Sequence, residues 1–178
     1  PASFFIDKLK KTNEKVKIIT HHWSTNPLKG FDFYMMIDKL IENYENVDFY
    51  YLGRRPDDFL PKNIKILKVE DEQGVISHLS DSDIYVTASK FETGGNHVVE
   101  AMACKLPVLY HLEGGGICDL SKNNGYGYSS IEEFDHQLTK LISLLSKNET
   151  TFPNLEGTLE DVCLEYVKCM ENLVEAKD

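Results

Sequence analysis

Phe91-Glu92-Thr93-Gly94-Gly95-Asn96-His97-Val98-Val99-Glu100-Ala101-Met102-Ala103 is the stretch whose reading decides the fold. The run before it, Asp83-Ile84-Tyr85-Val86-Thr87-Ala88, is short and apolar and reads as a buried strand. Lys105-Leu106-Pro107-Val108-Leu109-Tyr110 after it reads as another. Between them lie a turn with two adjacent glycines and a helix of small residues. A glycine turn from strand into helix points backbone N–H groups at one spot, where the helix dipole favours an anion. Glu92 sits in the loop, and Glu100 sits inside an otherwise apolar helical run. A carboxylate there is costly to bury unless something hydrogen-bonds to it.

Working outward, strands and helices alternate along most of the chain. Lys15 to Thr20 reads as a first strand, ending at His21-His22-Trp23-Ser24. After the loop Thr25-Asn26-Pro27-Leu28-Lys29-Gly30 comes a helix with apolar residues at 33, 36, 37, 40, 41 and 44, the spacing of one buried face. Val47 to Leu52 is a strand closed by Gly53-Arg54-Arg55-Pro56, and Asn63 to Leu67 is a shorter one. Glu72 to Ser80 forms a helix burying Val75, Ile76 and Leu79. His111-Leu112-Glu113-Gly114-Gly115-Gly116 is a second glycine-rich strand exit, followed by a short helix over Ile117 to Ser121 and a turn or small strand at Gly125 to Tyr128. Ser130-Ile131-Glu132-Glu133 reads as a capping box for a helix burying Phe134, Leu138, Leu141, Ile142 and Leu145. This order predicts a doubly wound, Rossmann-like parallel sheet, with ligands at the carboxyl ends of its strands. Residues 1–14 read as a linker or N-terminal arm, with a short amphipathic helix at 3–11. Residues 15–178 read as one domain ending in a helix over 157–175.

Composition narrows the function. The chain has 178 residues and a formal net charge of -10, which argues against broad nucleic-acid binding and a basic membrane-facing surface. No apolar run is long enough to span a bilayer, so a cytoplasmic location is expected. Cys104, Cys118, Cys163 and Cys169 are widely spaced, so neither a disulfide framework nor a zinc site is expected.

Each candidate group has two readings. The amides of Gly95, Asn96 and His97 hold a phosphate or sugar oxygen, or the glycines simply allow a tight turn. Neither a G-x-G-x-x-G fingerprint nor a P-loop is present. Glu100 accepts hydrogen bonds from ribose hydroxyls, or complements the helix dipole. Lys29 neutralises a diphosphate, or is a solvated loop lysine. His21, His22, His97 and His111 hydrogen-bond a ligand or pack in the core, and no spacing among them supports zinc.

Taken together, Lys29-Gly30-Phe31-Asp32, Asn63 to Leu67, Ser80 to Val86, Glu92-x7-Glu100-Ala101-Met102-Ala103 and Pro107-Val108-Leu109 resemble the C-terminal half of family 4 glycosyltransferases of the GT-B fold. The resemblance covers about residues 16–145. It implies two Rossmann-like domains facing a cleft, the C-terminal one binding a nucleoside-diphosphate sugar and the N-terminal one, absent here, binding the acceptor. That absent domain is also where peripheral attachment to a membrane would reside. Glu100 would hold the ribose, Glu92 and Thr93 to Gly95 the donor sugar, Asn96 and His97 the diphosphate, and Lys29 would assist that diphosphate. Leu67 and Lys68 would lie by the nucleobase. The catalytic roles fall to Glu92 and Lys29. Such enzymes retain anomeric configuration and need no metal or other cofactor.

The chain departs from the family at Trp23, where many members carry an arginine six residues before the lysine. His21, His22, Arg54 and Arg55 are the candidates to replace that cation. Thr93-Gly94 also departs from the usual residues after the first glutamate, which bears on the donor sugar. Two competing readings are a non-catalytic sugar-nucleotide or partner-binding module and half of a sugar-nucleotide epimerase.

Overall fold

A computed structural model describes residues 15–149 apart from 69, 124 and 148. The expected arm at 3–11, the linker at 1–14 and the helix at 157–175 lie outside the described residues. Among the described residues six strands and five α-helices follow in the order β1 (Val16–His22), α1 (Phe31–Ile41), β2 (Val47–Gly53), β3 (Lys65–Ile66), α2 (Glu72–Ser80), β4 (Ile84–Thr87), α3 (Asn96–Ala103), β5 (Val108–His111), α4 (Gly116–Ser121), β6 (Gly125–Tyr128) and α5 (Ile131–Ser146). All strand pairs are parallel. Their order is β3-β2-β1-β4-β5-β6. The chain therefore winds outward in one direction from β1 and in the other from β4, leaving a crevice between the carboxyl ends of those two strands.

Alternation along the strands divides the core in two. Ile18, Phe49, Tyr51, Ile84, Val86 and Leu109 face α1 and α5. Ile19, Leu52, Tyr85, Val108 and Tyr110 face the side covered by α2, α3 and α4. Burial on both faces removes the polar alternation that a half-exposed sheet would show.

Several local expectations shift. β1 runs through His22 rather than stopping at Thr20, because His21 and His22 pair with Leu52 and Gly53 and are both buried. β3 shrinks to two residues. Met36, expected on the buried face of α1, is 45% exposed, while Asp38 is buried in that helix. The Asp38 carboxylate earns that position by accepting backbone N–H bonds from Lys62 (3.0 Å), Asn63 (2.7 Å) and Ile64 (2.7 Å), which ties the entry of β3 to α1. α2 buries Val75, Ile76 and Leu79 as its spacing requires. α5 is capped by Ser130, whose side chain accepts from the Glu133 amide. The Glu133 carboxylate reaches one residue further back than a standard capping box, to the Ser129 amide at 2.7 Å and its hydroxyl at 2.6 Å. No helix among the described residues is long and apolar enough to cross a membrane.

Candidate functional site

At the β1/β4 crevice lies a cavity of about 420 Å³ lined by His22, Trp23, Ser24, Lys29, Glu92, Thr93, Gly94, Gly95, Asn96, His97 and Glu100. One wall is the exit of β1, the other the loop after β4 and the first turns of α3. The topology thus gathers residues far apart in sequence. Of the ten residues that the resemblance assigns to the donor or to catalysis, eight line it, as does His22. Leu67 and Lys68 do not: they follow β3, with the Leu67 amide bonded to the Tyr51 carbonyl at 2.8 Å and Lys68 exposed. Ser24 was missed, since a lone serine in a loop carries no pattern. Trp23, singled out only as a departure, stands 42% exposed at the cavity wall.

Lys29 is placed by backbone geometry. Asn26 caps a short 3-10 turn over Pro27–Lys29 with its side chain, and Gly30 closes it at φ 78°. A Cβ on Gly30 would stand 2.2 Å from the Ala88 carbonyl oxygen, so the Lys29 loop lies directly against the end of β4. The Lys29 ammonium pairs with the Glu92 carboxylate, both side chains less than a fifth exposed. The two groups expected to do chemistry therefore neutralise each other across the crevice.

The loop carrying Glu92 is held by the second glycine cluster. Phe91 N–H donates to the Glu113 carbonyl (2.8 Å), Glu92 N–H to that of Gly114 (3.1 Å), and Gly116 N–H to that of Glu92 (2.7 Å). Glu92 and Gly115 form a parallel bridge beyond the strands proper. A Cβ on Gly115, at φ 66°, would come within 2.7 Å of the Glu92 carbonyl oxygen. The run at 114–116 is a seat for the first loop.

The two glycines of that first loop separate. Gly95 is the N-cap of α3 at φ 56°, and a Cβ there would meet Ile117 Cγ1 at 2.9 Å. Its glycine is a requirement of the fold. Gly94 has no left-handed φ, and a Cβ would find only Asn96 Oδ1 at 3.8 Å. Nothing among the described residues demands glycine at 94. α3 has no side-chain cap and no acidic residue in its first turn, so its amino end keeps its positive field for an anion.

Histidines form the floor. His22 donates to or accepts from Tyr34 Oη at 2.9 Å, and His97 meets Thr87 Oγ1 at 3.2 Å. Burial, then the neighbouring His97, His21 and Lys29, holds His22 well below the usual histidine range. Burial, then His21 and Lys29, lowers His97 to about 3. Both are neutral at pH 7, so His22 does not replace a missing cation. Arg54 and Arg55 are not among the lining residues, and Arg55 bonds the Phe59 carbonyl at 2.9 Å. His111 lies away from this cavity, edge-on to Phe33 and Tyr128. Among the described residues no group of three or more His, Cys, Asp or Glu is arranged to hold a metal ion. The carboxylate of Glu100, expensive in its apolar run, has its partner in His21, whose Nε2 lies 2.7 Å from Oε2.

Comparison with known proteins bears on the family and the fold. The family model described as glycosyl transferases group 1 matches residues 37–156. No curated protein matches the sequence. Among solved structures, TarM is similar with a TM-score of 0.61 at 19% identity, over 81% of this chain and 31% of its own. The C-terminal domain of a glycosyl transferase group 1 family protein (LpcC) from Francisella tularensis gives 0.60 at 23% identity, over 75% of this chain and 80% of its own. Sucrose-phosphate synthase from Thermosynechococcus elongatus gives 0.70 at 13% identity, over 98% of this chain and 51% of its own. The chain thus spans about a third of TarM and half of the synthase, but most of a structure that is itself a C-terminal domain. At these identities the likeness shows the fold, the Rossmann-like half of a GT-B architecture.

Proposed function

We propose, from the premise that this chain belongs to the group 1 glycosyl transferases, that it is the donor-binding domain of a retaining, metal-independent glycosyltransferase. The observation that carries this reading is the meeting of Lys29, Glu92, the uncapped start of α3 and Glu100 around one cavity at the β1/β4 crevice. A nucleoside-diphosphate sugar has a charge pattern to match. Its ribose hydroxyls donate to Glu100. Its diphosphate meets the α3 amides near Asn96 and His97 and the Lys29 ammonium. Its sugar hydroxyls reach Glu92 and the backbone of Thr93 to Gly95. Leu67 and Lys68, off this cavity, are left as candidates for the nucleobase end.

In the reaction the bond from sugar C1 to the β-phosphate oxygen breaks, and its electron pair leaves on the diphosphate. An acceptor hydroxyl oxygen bonds C1 on the face being vacated, and its proton passes to the departing phosphate. The barrier falls because negative charge grows where Lys29 and the helix start already present positive field. Arrival of the diphosphate offers Lys29 a second anion, so the ammonium turns from Glu92 toward the leaving group and Glu92 is released to a sugar hydroxyl. His22 and His97, kept neutral, contribute hydrogen-bonding groups and shape without adding charge. Acceptor recognition belongs to a facing domain, and this segment alone is expected to bind donor without turnover.

Titration calorimetry with UDP-, GDP- and ADP-glucose, then with Glu100→Ala and Lys29→Met, tests the reading. At least one donor should bind, and both substitutions should weaken it tenfold or more, about 1.4 kcal/mol. Binding that neither substitution changes would place the donor elsewhere. Binding with no transfer after a facing domain is supplied would instead favour a non-catalytic sugar-nucleotide module.

A further inference from the structure

We propose that His21, which no ligand can touch, is a positioning residue that orients the Glu100 carboxylate and so sets the preference for a ribose over a deoxyribose. The inference rests on the reading of Glu100 as the ribose ligand. His21 is fully buried, while the Glu100 side chain is 30% exposed at the cavity wall. One ring nitrogen, Nε2, lies 2.7 Å from Glu100 Oε2, and the other, Nδ1, lies 3.2 Å from the Tyr85 hydroxyl.

The direction of these bonds follows from what each group can give. Tyr85 is fully buried and stays a phenol, its pKa pushed well up by that burial. Its oxygen accepts the His21 backbone N–H at 3.4 Å, and its proton has two acceptors within reach, His21 Nδ1 at 3.2 Å and the His21 carbonyl at 3.4 Å. A carboxylate can only accept, so Nε2 carries the proton of the 2.7 Å contact and donates it to Glu100. The ring is held in place, because Tyr85, His97 and Trp23 pack edge-on around it at centroid distances of 5.5, 6.2 and 6.3 Å. A glutamate has three side-chain torsions, and this clamp fixes them in advance. One bond to Oε2 leaves Oε1 and the remaining lone pairs free for two adjacent hydroxyls. Pre-ordering of this kind is worth affinity only for a ligand that uses the ordered group.

The test is a comparison of ligands as much as of variants. The full chain is titrated with UDP, GDP and ADP and with the 2′-deoxy form of each, and affinity is read by calorimetry. Quenching of Trp23 fluorescence gives a second readout, since it is the chain's single tryptophan and lines the cavity. His21→Phe keeps an aromatic ring but removes the donor. It should cut the ribose preference by roughly threefold to tenfold and leave the affinity for the deoxy form unchanged. His21→Gln restores an N–H donor near the place of Nε2 and should recover most of the preference. Glu100→Ala should abolish the preference outright.

Equal weakening of both ligand forms by His21→Phe would make the histidine a packing residue and overturn the proposal. So would an intact preference in His21→Phe beside its loss in Glu100→Ala, with the ribose reading surviving. A preference unchanged by Glu100→Ala would overturn the ribose reading itself, and this inference with it.

Discussion

Replacing Gly94 and Gly95 separately by alanine should split two properties that the sequence shows fused. At Gly95 the alanine must adopt φ 56°, a left-handed conformation costing a side-chain-bearing residue roughly 1–2 kcal/mol. Its Cβ would also stand 2.9 Å from Ile117 Cγ1 and 3.3 Å from Leu120 Cδ1. Both are movable side-chain atoms, so the repacking adds only about 1 kcal/mol, at the low end for an overfilled site. The sum is about 2–3 kcal/mol, a large share of the roughly 5–15 kcal/mol that holds a domain together. At about 2–4 °C per kcal/mol for a chain of this size, the midpoint falls by roughly 5–10 °C. At Gly94 the nearest atom is 3.8 Å away and the backbone is ordinary. Alanine there should leave stability within about 0.5 kcal/mol, or raise it slightly by restricting the unfolded chain. Yet Gly94 lines the cavity, so the added methyl should obstruct the donor sugar's approach to the loop backbone. Thermal and urea unfolding followed by circular dichroism measure the first property, and calorimetry with the tightest-binding nucleotide sugar the second. Should Gly94→Ala unfold as readily as Gly95→Ala, or bind donor as the native chain does, the division of roles between the glycines is wrong.

Glu92→Gln removes the carboxylate that competes for Lys29, so a nucleoside diphosphate lacking a sugar should bind about tenfold tighter while the sugar nucleotide gains less; calorimetry showing equal gains would remove Glu92 from the sugar. Asp38→Ala strands three backbone N–H groups near the entry of β3 and should cost about 2–4 kcal/mol in urea unfolding; a loss below about 0.5 kcal/mol would mean water replaces the carboxylate without cost. His22 and His97 are held neutral in the folded state, so below pH 6.5 the unfolded chain binds protons the native one refuses, and stability falls with pH; for His97 that window runs from 6.5 down to about 3. His97→Gln should therefore flatten the pH dependence of unfolding between about pH 4 and 6 by about 1.4 kcal/mol per unit, and an unchanged slope would mean His97 is protonated in the native protein.

The doubly wound sheet was legible because apolar strand runs and amphipathic helices alternate along most of the chain, and because β4, the glycine turn and α3 sit side by side in sequence. The gathering of Lys29 with Glu92 and Glu100 was legible only through family resemblance, since residues 63 and more apart carry no shared period. Partnerships that depend on register stayed hidden. His21 meets Glu100 because β1 continues two residues past the point where its apolar run ends. Asp38 stands outside the apolar spacing of α1, and only the returning chain at 62–64 gives its carboxylate something to hold. Met36 misled for the opposite reason: its spacing fits the buried stripe, but α1 turns that position to solvent. The role of 114–116 was invisible because a glycine's purpose lies in what approaches it.

The bridge between Glu92 and Gly115 has a practical bearing on exchanging parts between relatives. A transplant of the loop at 91–95 alone would land on a seat shaped for another backbone, and its new side chains would be delivered at the wrong angle. The portable unit is the pair, 91–95 together with 113–116. Selection for altered sugar preference should accordingly recover changes in the second segment, which supplies none of the cavity's lining residues.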